Sequence, residues 1–344
     1  MSFIEEIHQQ PGALRTLANY LKDHGSDLVA KIHALVKKVQ PTQIVFVGMG
    51  SSLYAAYISC TYLCRRGIRA HAYEAFELLS SDHPIIDDHT LLIAVSQSGN
   101  STETVDFCEV YKSYPMITVT NQENGNLARY GDLQLFLQAG DEFCTATKSY
   151  TNTVGMLVFL AYALGGAEKA EFDKLYLELN QCADIIASML SQPDYGEKLT
   201  DYFQNQPVLT LVGSGSSYTT TLHSQLVFVE AAQEQPLPFT AGQFIHGPLE
   251  IINEKFGCIL FDFEPNARKK IDDVLEQTEM FGGKTMIFTN RADLESTDRR
   301  LVLYFDLENR YLSPAIEVVP MELMVYTIGQ RKGTDPGTLH RVHK

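Results

Sequence analysis

The chain has 344 residues, 45% of them hydrophobic, so it can bury a sizeable core; at roughly 150 residues per domain this points to two domains. A formal net charge of −15 argues against partners whose phosphates must be neutralised over a broad basic face, which sets aside nucleic acid and anionic membranes. A single small anion stays open, because a few backbone N–H groups and hydroxyls can hold one phosphate without any net positive charge.

Residues 1–21 (MSFIEEIHQQPGALRTLANYL) carry early acidic groups and no continuous apolar stretch. No secretory signal or membrane anchor is expected there, and a cytoplasmic location is. The first clear strand is Gln43–Gly48, followed by a helix over Ser52–Arg66. Further strands are expected near Ile68–Tyr73, Leu91–Ser96, Met116–Thr120 and Leu133–Leu137. The six cysteines contain no Cys-x-x-Cys pair, which suits reduced thiols. Cys60 and Cys64 could share a helix face, but no matching Cys/His pair follows, so no metal is expected. A helical region over Lys148–Phe203, with two amphipathic stretches and a Gly165-Gly166 break, leads into a second strand set. Its strands are expected near Leu209–Gly213, Cys258–Phe263, Thr285–Thr289 and Val302–Asp306. The last apolar helix is expected over Ile316–Thr327, ahead of a polar tail from Gln330. Strands alternating with helices predict an α/β chain with mainly parallel, flavodoxin-like or Rossmann-like sheets in three-layer αβα sandwiches, divided as 1–165 and 166–344.

The two halves open alike: Val45-Phe-Val-Gly-Met-Gly-Ser-Ser52 and Thr210-Leu-Val-Gly-Ser-Gly-Ser-Ser217 both read strand, Gly-x-Gly-Ser-Ser, helix. A repeat at this distance suggests a duplicated domain rather than a solenoid. Such turns put free N–H groups and hydroxyls at a helix start, where the dipole favours an anion. That makes Gly50, Ser51, Ser52, Ser216 and Ser217 candidate phosphate ligands. The bland alternative is a tight turn with capping serines. A dinucleotide loop would need a third glycine where Leu53 and Tyr218 stand, so no nicotinamide or flavin cofactor, and no cofactor of any kind, is expected.

The third strand ends in Val95-Ser-Gln-Ser-Gly-Asn-Ser-Thr-Glu-Thr104. A helix cap needs one hydroxyl; the surplus suits an anion site, with Ser96, Gln97, Ser98, Ser101 and Thr104 as its candidates. Glu230 lies in the apolar stretch Leu226-Val-Phe-Val-Glu-Ala-Ala232. A carboxylate there must be paired or carry a raised pKa, as a general base would; a helix-edge Glu meeting solvent is the alternative. His246 sits in Gln243-Phe-Ile-His-Gly-Pro248, a turn fixed by Pro248, and a lone His is often structural.

At these residues the chain resembles the double-domain members of the sugar isomerase (SIS) family: the isomerase part of glucosamine-6-phosphate synthase and the fructosamine-6-phosphate deglycases. The resemblance spans nearly the whole chain. It rests on both Gly-x-Gly-Ser-Ser turns, Ser96-Gln-Ser-Gly99, Ala146-Thr-Lys-Ser149, the spacing from Glu230 to His246, and Gly242-Gln-Phe-Ile-His-Gly-Pro-Leu-Glu250. It implies that Glu230 moves a proton between C1 and C2 of an open-chain sugar phosphate. It implies also that His246 assists ring opening or acts as acid in a neighbouring subunit's site, hence a homodimer or larger homo-oligomer. Ser52, Ser96, Gln97, Ser98 and Ser101 become the phosphate cradle, and Thr147, Lys148 and Arg341 join the substrate-binding set. Where the synthase carries lysines, this chain has Val227 and Arg341, and Arg forms no Schiff base near neutral pH. The residues present hold no glutaminase domain, so a whole synthase is not expected. His246-Gly-Pro-Leu-Glu-Ile251 and Val319-Pro-Met-Glu-Leu323 look more like the deglycases, which split a fructosamine 6-phosphate into glucose 6-phosphate and amine. An aldose–ketose isomerase or amino-sugar-phosphate deaminase is the close alternative, and a non-catalytic sugar-phosphate sensor the distant one.

Overall fold

Runs such as Ile44–Val47 and Leu91–Val95 are apolar at every position, a pattern that suits strands covered on both faces. In the computed structural model, which describes residues 1–81 and 85–337, both are central strands of a parallel sheet. Its strands are β1 (Gln43–Gly48), β2 (Ala70–Glu74), β3 (Thr90–Val95), β4 (Met116–Thr120) and β5 (Leu133–Phe136), ordered β2-β1-β3-β4-β5. The second sheet holds β6 (Val208–Gly213), β7 (Leu237–Thr240), β8 (Phe256–Asp262), β9 (Lys284–Thr289) and β10 (Arg300–Tyr304), ordered β10-β9-β8-β6-β7. Read from β7, this is the same order, the flavodoxin-like one expected, and every pairing is parallel.

Side chains alternate across each sheet. Val45, Val47, Leu92, Ala94 and Met116 form one buried face with α3 (Ala75–Ser80) and α4 (Thr102–Val110). Ile44, Phe46 and Ile93 point the other way, where α2 (Gly50–Arg65) covers the sheet. The second sheet repeats this: Val212, Cys258, Leu260 and Ile287 pack with α9 (Ala241–Phe244) and α10 (Arg268–Met280). α8 (Ser217–Val227) lies against β6 and β8.

Several elements go beyond the sequence reading. The leading segment is one helix, α1 (Phe3–Val39), which continues through Pro11. Lys148–Phe203 resolves into three helices: α5 (Lys148–Leu164), α6 (Lys169–Leu190) and α7 (Tyr195–Tyr202). The last helix, α11 (Ser313–Lys332), runs past Gln330 and stops at Gly333, whose φ of 68° closes it. Two compact units result, one of Gln10–Glu142 with Lys148–Ala183, the other of Met1–Gln9, Phe143–Thr147 and Asp184–Lys344, and they interleave along the chain.

Candidate active site

In an open parallel sheet, ligands bind beyond the carboxyl ends of the strands where the order reverses. In the first sheet that point lies between β1 and β3, the two strands that end in the Gly-x-Gly-Ser-Ser turn and in Ser96-Gln97-Ser98-Gly99. The register pairs Gly48 with Val95, and a Cβ on Gly48 would lie 2.9 Å from the Val95 carbonyl oxygen, so only glycine lets the two loops approach this closely. Gly50, with φ of 47°, turns the chain into α2. Ser51 and Ser52 are half-buried on its first turn.

Ser96 is buried, whereas Gln97, Ser98 and Ser101 are half-exposed. Ser101 precedes α4 without a side-chain capping bond, which leaves that hydroxyl out of helix capping. Asn100 is structural: its side-chain oxygen accepts from the Asn126 backbone N–H at 3.1 Å. Thr104 is fully buried. Asn121 links the Gln97 carbonyl, to which its N–H donates at 3.0 Å, to the Gly140 carbonyl, to which its amide donates at 2.7 Å. A Cβ on Gly140 would lie 4.0 Å from the ammonium of buried Lys148. The geometry thus brings Ser51, Ser52, Ser96–Ser98, Ser101 and Lys148 to one end of one sheet. Thr147 is buried in the other unit, and Arg341 lies outside the described residues.

The second loop has the same sequence pattern and different surroundings. A Cβ on Gly215 would lie 2.7 Å from Glu264 Oε2, and Glu264 itself pairs with Arg310 at 2.9 Å. The Ser217 hydroxyl donates to Glu317 Oε1 at 2.6 Å, and Thr220 donates to its other oxygen. Glu317 is fully buried; burial pushes its carboxyl up to about 7, against the opposing effect of hydrogen bonds from Ser217, Thr220 and Ser313. Ser216 and Ser217 are both buried. Two carboxylates therefore face the loop that sequence alone equates with the first.

Glu230 lies where α8 widens into a π-turn over Phe228–Ala232. Single π-turns are rare and frequent at functional sites, since the extra residue pushes one side chain out of helical register. Glu230 is half-exposed, between buried Phe228 and Ala231, so it keeps contact with solvent that a continuous buried helix face would deny it. Gln233 closes the turn in the left-handed region, with φ of 53°. Val227 is buried, so no cation stands three residues before Glu230. His223, two turns earlier, is fully buried, and burial pushes its imidazole down to about 3, holding it neutral. His246 is exposed just past α9; the Thr240 hydroxyl caps that helix, and Gly247, with φ of 128°, turns the chain away. Sequence reasoning missed His223, Glu317 and the Glu264 contact; the two glutamates, Glu317 and Glu322, within the largely apolar terminal helix were the available sign for Glu317. Among the described residues no cluster of His, Cys, Asp and Glu could hold a metal ion, and no helix is long and apolar enough to cross a membrane.

The SIS domain family model matches residues 39–163. Over 353 residues the chain is 28% identical to the isomerizing glutamine–fructose-6-phosphate aminotransferase of Symbiobacterium thermophilum, covering 96% of this chain and 56% of that protein. It thus spans about half the length of the curated relatives it matches. The solved C-terminal domain of glucosamine-fructose-6-phosphate aminotransferase from Francisella tularensis superposes with a TM-score of 0.85 at 20% identity, covering 98% of this chain and 97% of that one. Tagatose-6-phosphate ketose/aldose isomerase from Escherichia coli gives 0.80 at 20% identity, covering 99% and 96%.

Proposed function

We propose that this chain, which carries a SIS domain at residues 39–163, is an acid–base enzyme acting on an amino-substituted hexose 6-phosphate. The observation that carries the reading is the carboxylate of Glu230 on a half-exposed π-turn, where a general base needs both an apolar flank and access to substrate. The phosphate is held by Ser51, Ser52, Ser96, Gln97, Ser98 and Ser101 with the N–H groups of the Gly50 turn, and Lys148 completes the substrate contacts at the same end of the sheet. Ser216 and Ser217 are left out, because an anion there would meet Glu264 and Glu317. Thr104 and Thr147 are left out because both side chains are fully buried. Arg341 remains in the set on the resemblance alone.

In the scheme we favour, Glu230 takes a proton from C1, the carbon bearing nitrogen, and an enolamine forms. Return of a proton to C2 gives an imine, which water hydrolyses to amine and glucose 6-phosphate. That makes the chain a fructosamine-6-phosphate deglycase, and the buried Val227 supports it, since no lysine at that position offers Schiff-base chemistry. His246 is exposed, as a residue donated to a second copy would be, so a homodimer goes with this reading. The six free cysteines suit the reducing cytoplasm. The curated aminotransferase and the tagatose isomerase favour a second reading, in which the same proton transfer ends as an isomerase or deaminase.

The test is incubation with fructosamine 6-phosphates, glucosamine 6-phosphate and fructose 6-phosphate, with products read by mass spectrometry. Glucose 6-phosphate with free amine is expected. Ketose from glucosamine 6-phosphate would move the chain to the second reading, and binding of all three without turnover would leave a sensor.

A further inference from the structure

The π-turn that carries Glu230 is not self-supporting. Its closing residue, Gln233, is a non-glycine in the left-handed region, a conformation that persists only where neighbours enforce it. Beyond Ala232 the helix has no next turn to take its terminal carbonyls. The neighbour that takes them is α11. The Lys332 ammonium donates to the Ala232 carbonyl at 2.9 Å and to the Gln233 carbonyl at 3.4 Å, and it pairs with the Glu234 carboxylate. Its three donors thus have three acceptors, on the last residue of the turn and the two residues just past it, where a positive charge also complements the helix dipole.

The other end is held by the same helix. Glu317 on α11 accepts from Ser217 and Thr220 on the first turn of α8. Glu317 to Lys332 and Ser217 to Ala232 span equal stretches of chain, so α11 lies alongside the whole α8–π-turn element and is fastened to it at both ends. Between these fastenings the π-turn cannot relax into an ordinary α-turn without moving Ala232 and Gln233 away from Lys332. Such a relaxation would rotate Glu230 out of its half-exposed position.

We propose that Lys332 is a positioning residue that holds the Glu230 carboxylate in its working orientation by fastening the C-terminal end of the π-turn to α11. This rests on the reading of Glu230 as the acid–base group. Lys332 is itself half-exposed, with 37% of its side chain accessible, so its replacement leaves the core intact. The experiment compares wild type, Lys332→Met, Lys332→Arg and Glu230→Gln on the phosphosugar that wild type turns over in the product panel. It measures kcat, KM, melting temperature and amide hydrogen exchange across Phe228–Glu234. Misplacing a catalytic group by about 1 Å costs up to roughly 100-fold. Lys332→Met is therefore expected to lose 10- to 100-fold in kcat with KM within about twofold, to speed exchange across Phe228–Glu234, and to keep its melting temperature. Lys332→Arg should recover most of kcat. A Lys332→Met enzyme within twofold of wild type, beside an inactive Glu230→Gln, would overturn the positioning role alone, as would a loss of kcat that only tracks a lowered melting temperature. An active Glu230→Gln, or no turnover by wild type, would overturn the acid–base reading and the positioning role with it.

Discussion

Glu317 offers a prediction that depends on no substrate. Its carboxyl titrates near 7 in the folded chain against an ordinary 4.5. The folded state therefore binds this proton more tightly than the unfolded one. The stability gained is fully present below pH 4.5 and is lost as the pH rises through 7. At about 1.4 kcal/mol per pH unit the loss comes to about 3 kcal/mol, and no solvent screening reduces it because the side chain is fully buried. Glu317→Gln removes the titration and keeps the shape, since the Ser217 and Thr220 hydroxyls can rotate to accept or donate. The chain has no Trp, so urea unfolding is best followed by far-UV circular dichroism between pH 4.5 and 8.5. Across that window the transition involving α11 should lose about 3 kcal/mol less in the variant than in wild type. Asp262, which burial pushes up to about 6, titrates in both proteins and cancels from the comparison. Parallel profiles for the two proteins would refute the placement of Glu317 as a buried, proton-binding anchor.

Two further outcomes separate the cradle from its surroundings. The Thr104 hydroxyl is buried without a hydrogen-bond partner among the described residues, so Thr104→Val should stabilise by about 1 kcal/mol and leave KM unchanged; a raised KM in steady-state assays would return Thr104 to the cradle. Ser101 makes no capping bond, so Ser101→Ala should leave the melting temperature unaltered while raising KM for the phosphosugar roughly 5- to 10-fold, the worth of about one hydrogen bond.

Most strands were legible because fully apolar, β-branched runs have few other places to go: β1 and β4 fall where the sequence puts them. β7 was not. Leu237-Pro-Phe-Thr240 is short, contains Pro238 and is only partly buried, and it forms a strand because an edge position needs no N–H from the proline on its open side. The π-turn was equally hidden, since Val-Phe-Val-Glu-Ala-Ala reads as continuous α-helix and the Lys332 side chain that takes its end carbonyl comes from α11, about 100 residues later. The first Gly-x-Gly-Ser-Ser loop was legible as a strand-to-helix turn from its own residues, because glycine is what the close approach of β1 to β3 and the positive φ at residue 50 require. The second loop misleads for the converse reason. Its local pattern is identical, but Glu264 and Glu317 reach it from distant segments that no local motif announces. His246 could be named from the sequence, whereas its exposure could not.

The most direct test of the account is the kcat of Glu230→Gln at saturating substrate, in protein whose melting temperature matches wild type. Loss of a general base of this kind should lower kcat by roughly 100- to 10,000-fold with KM little changed. Turnover within a few-fold of wild type would contradict the claim that Glu230 moves the proton.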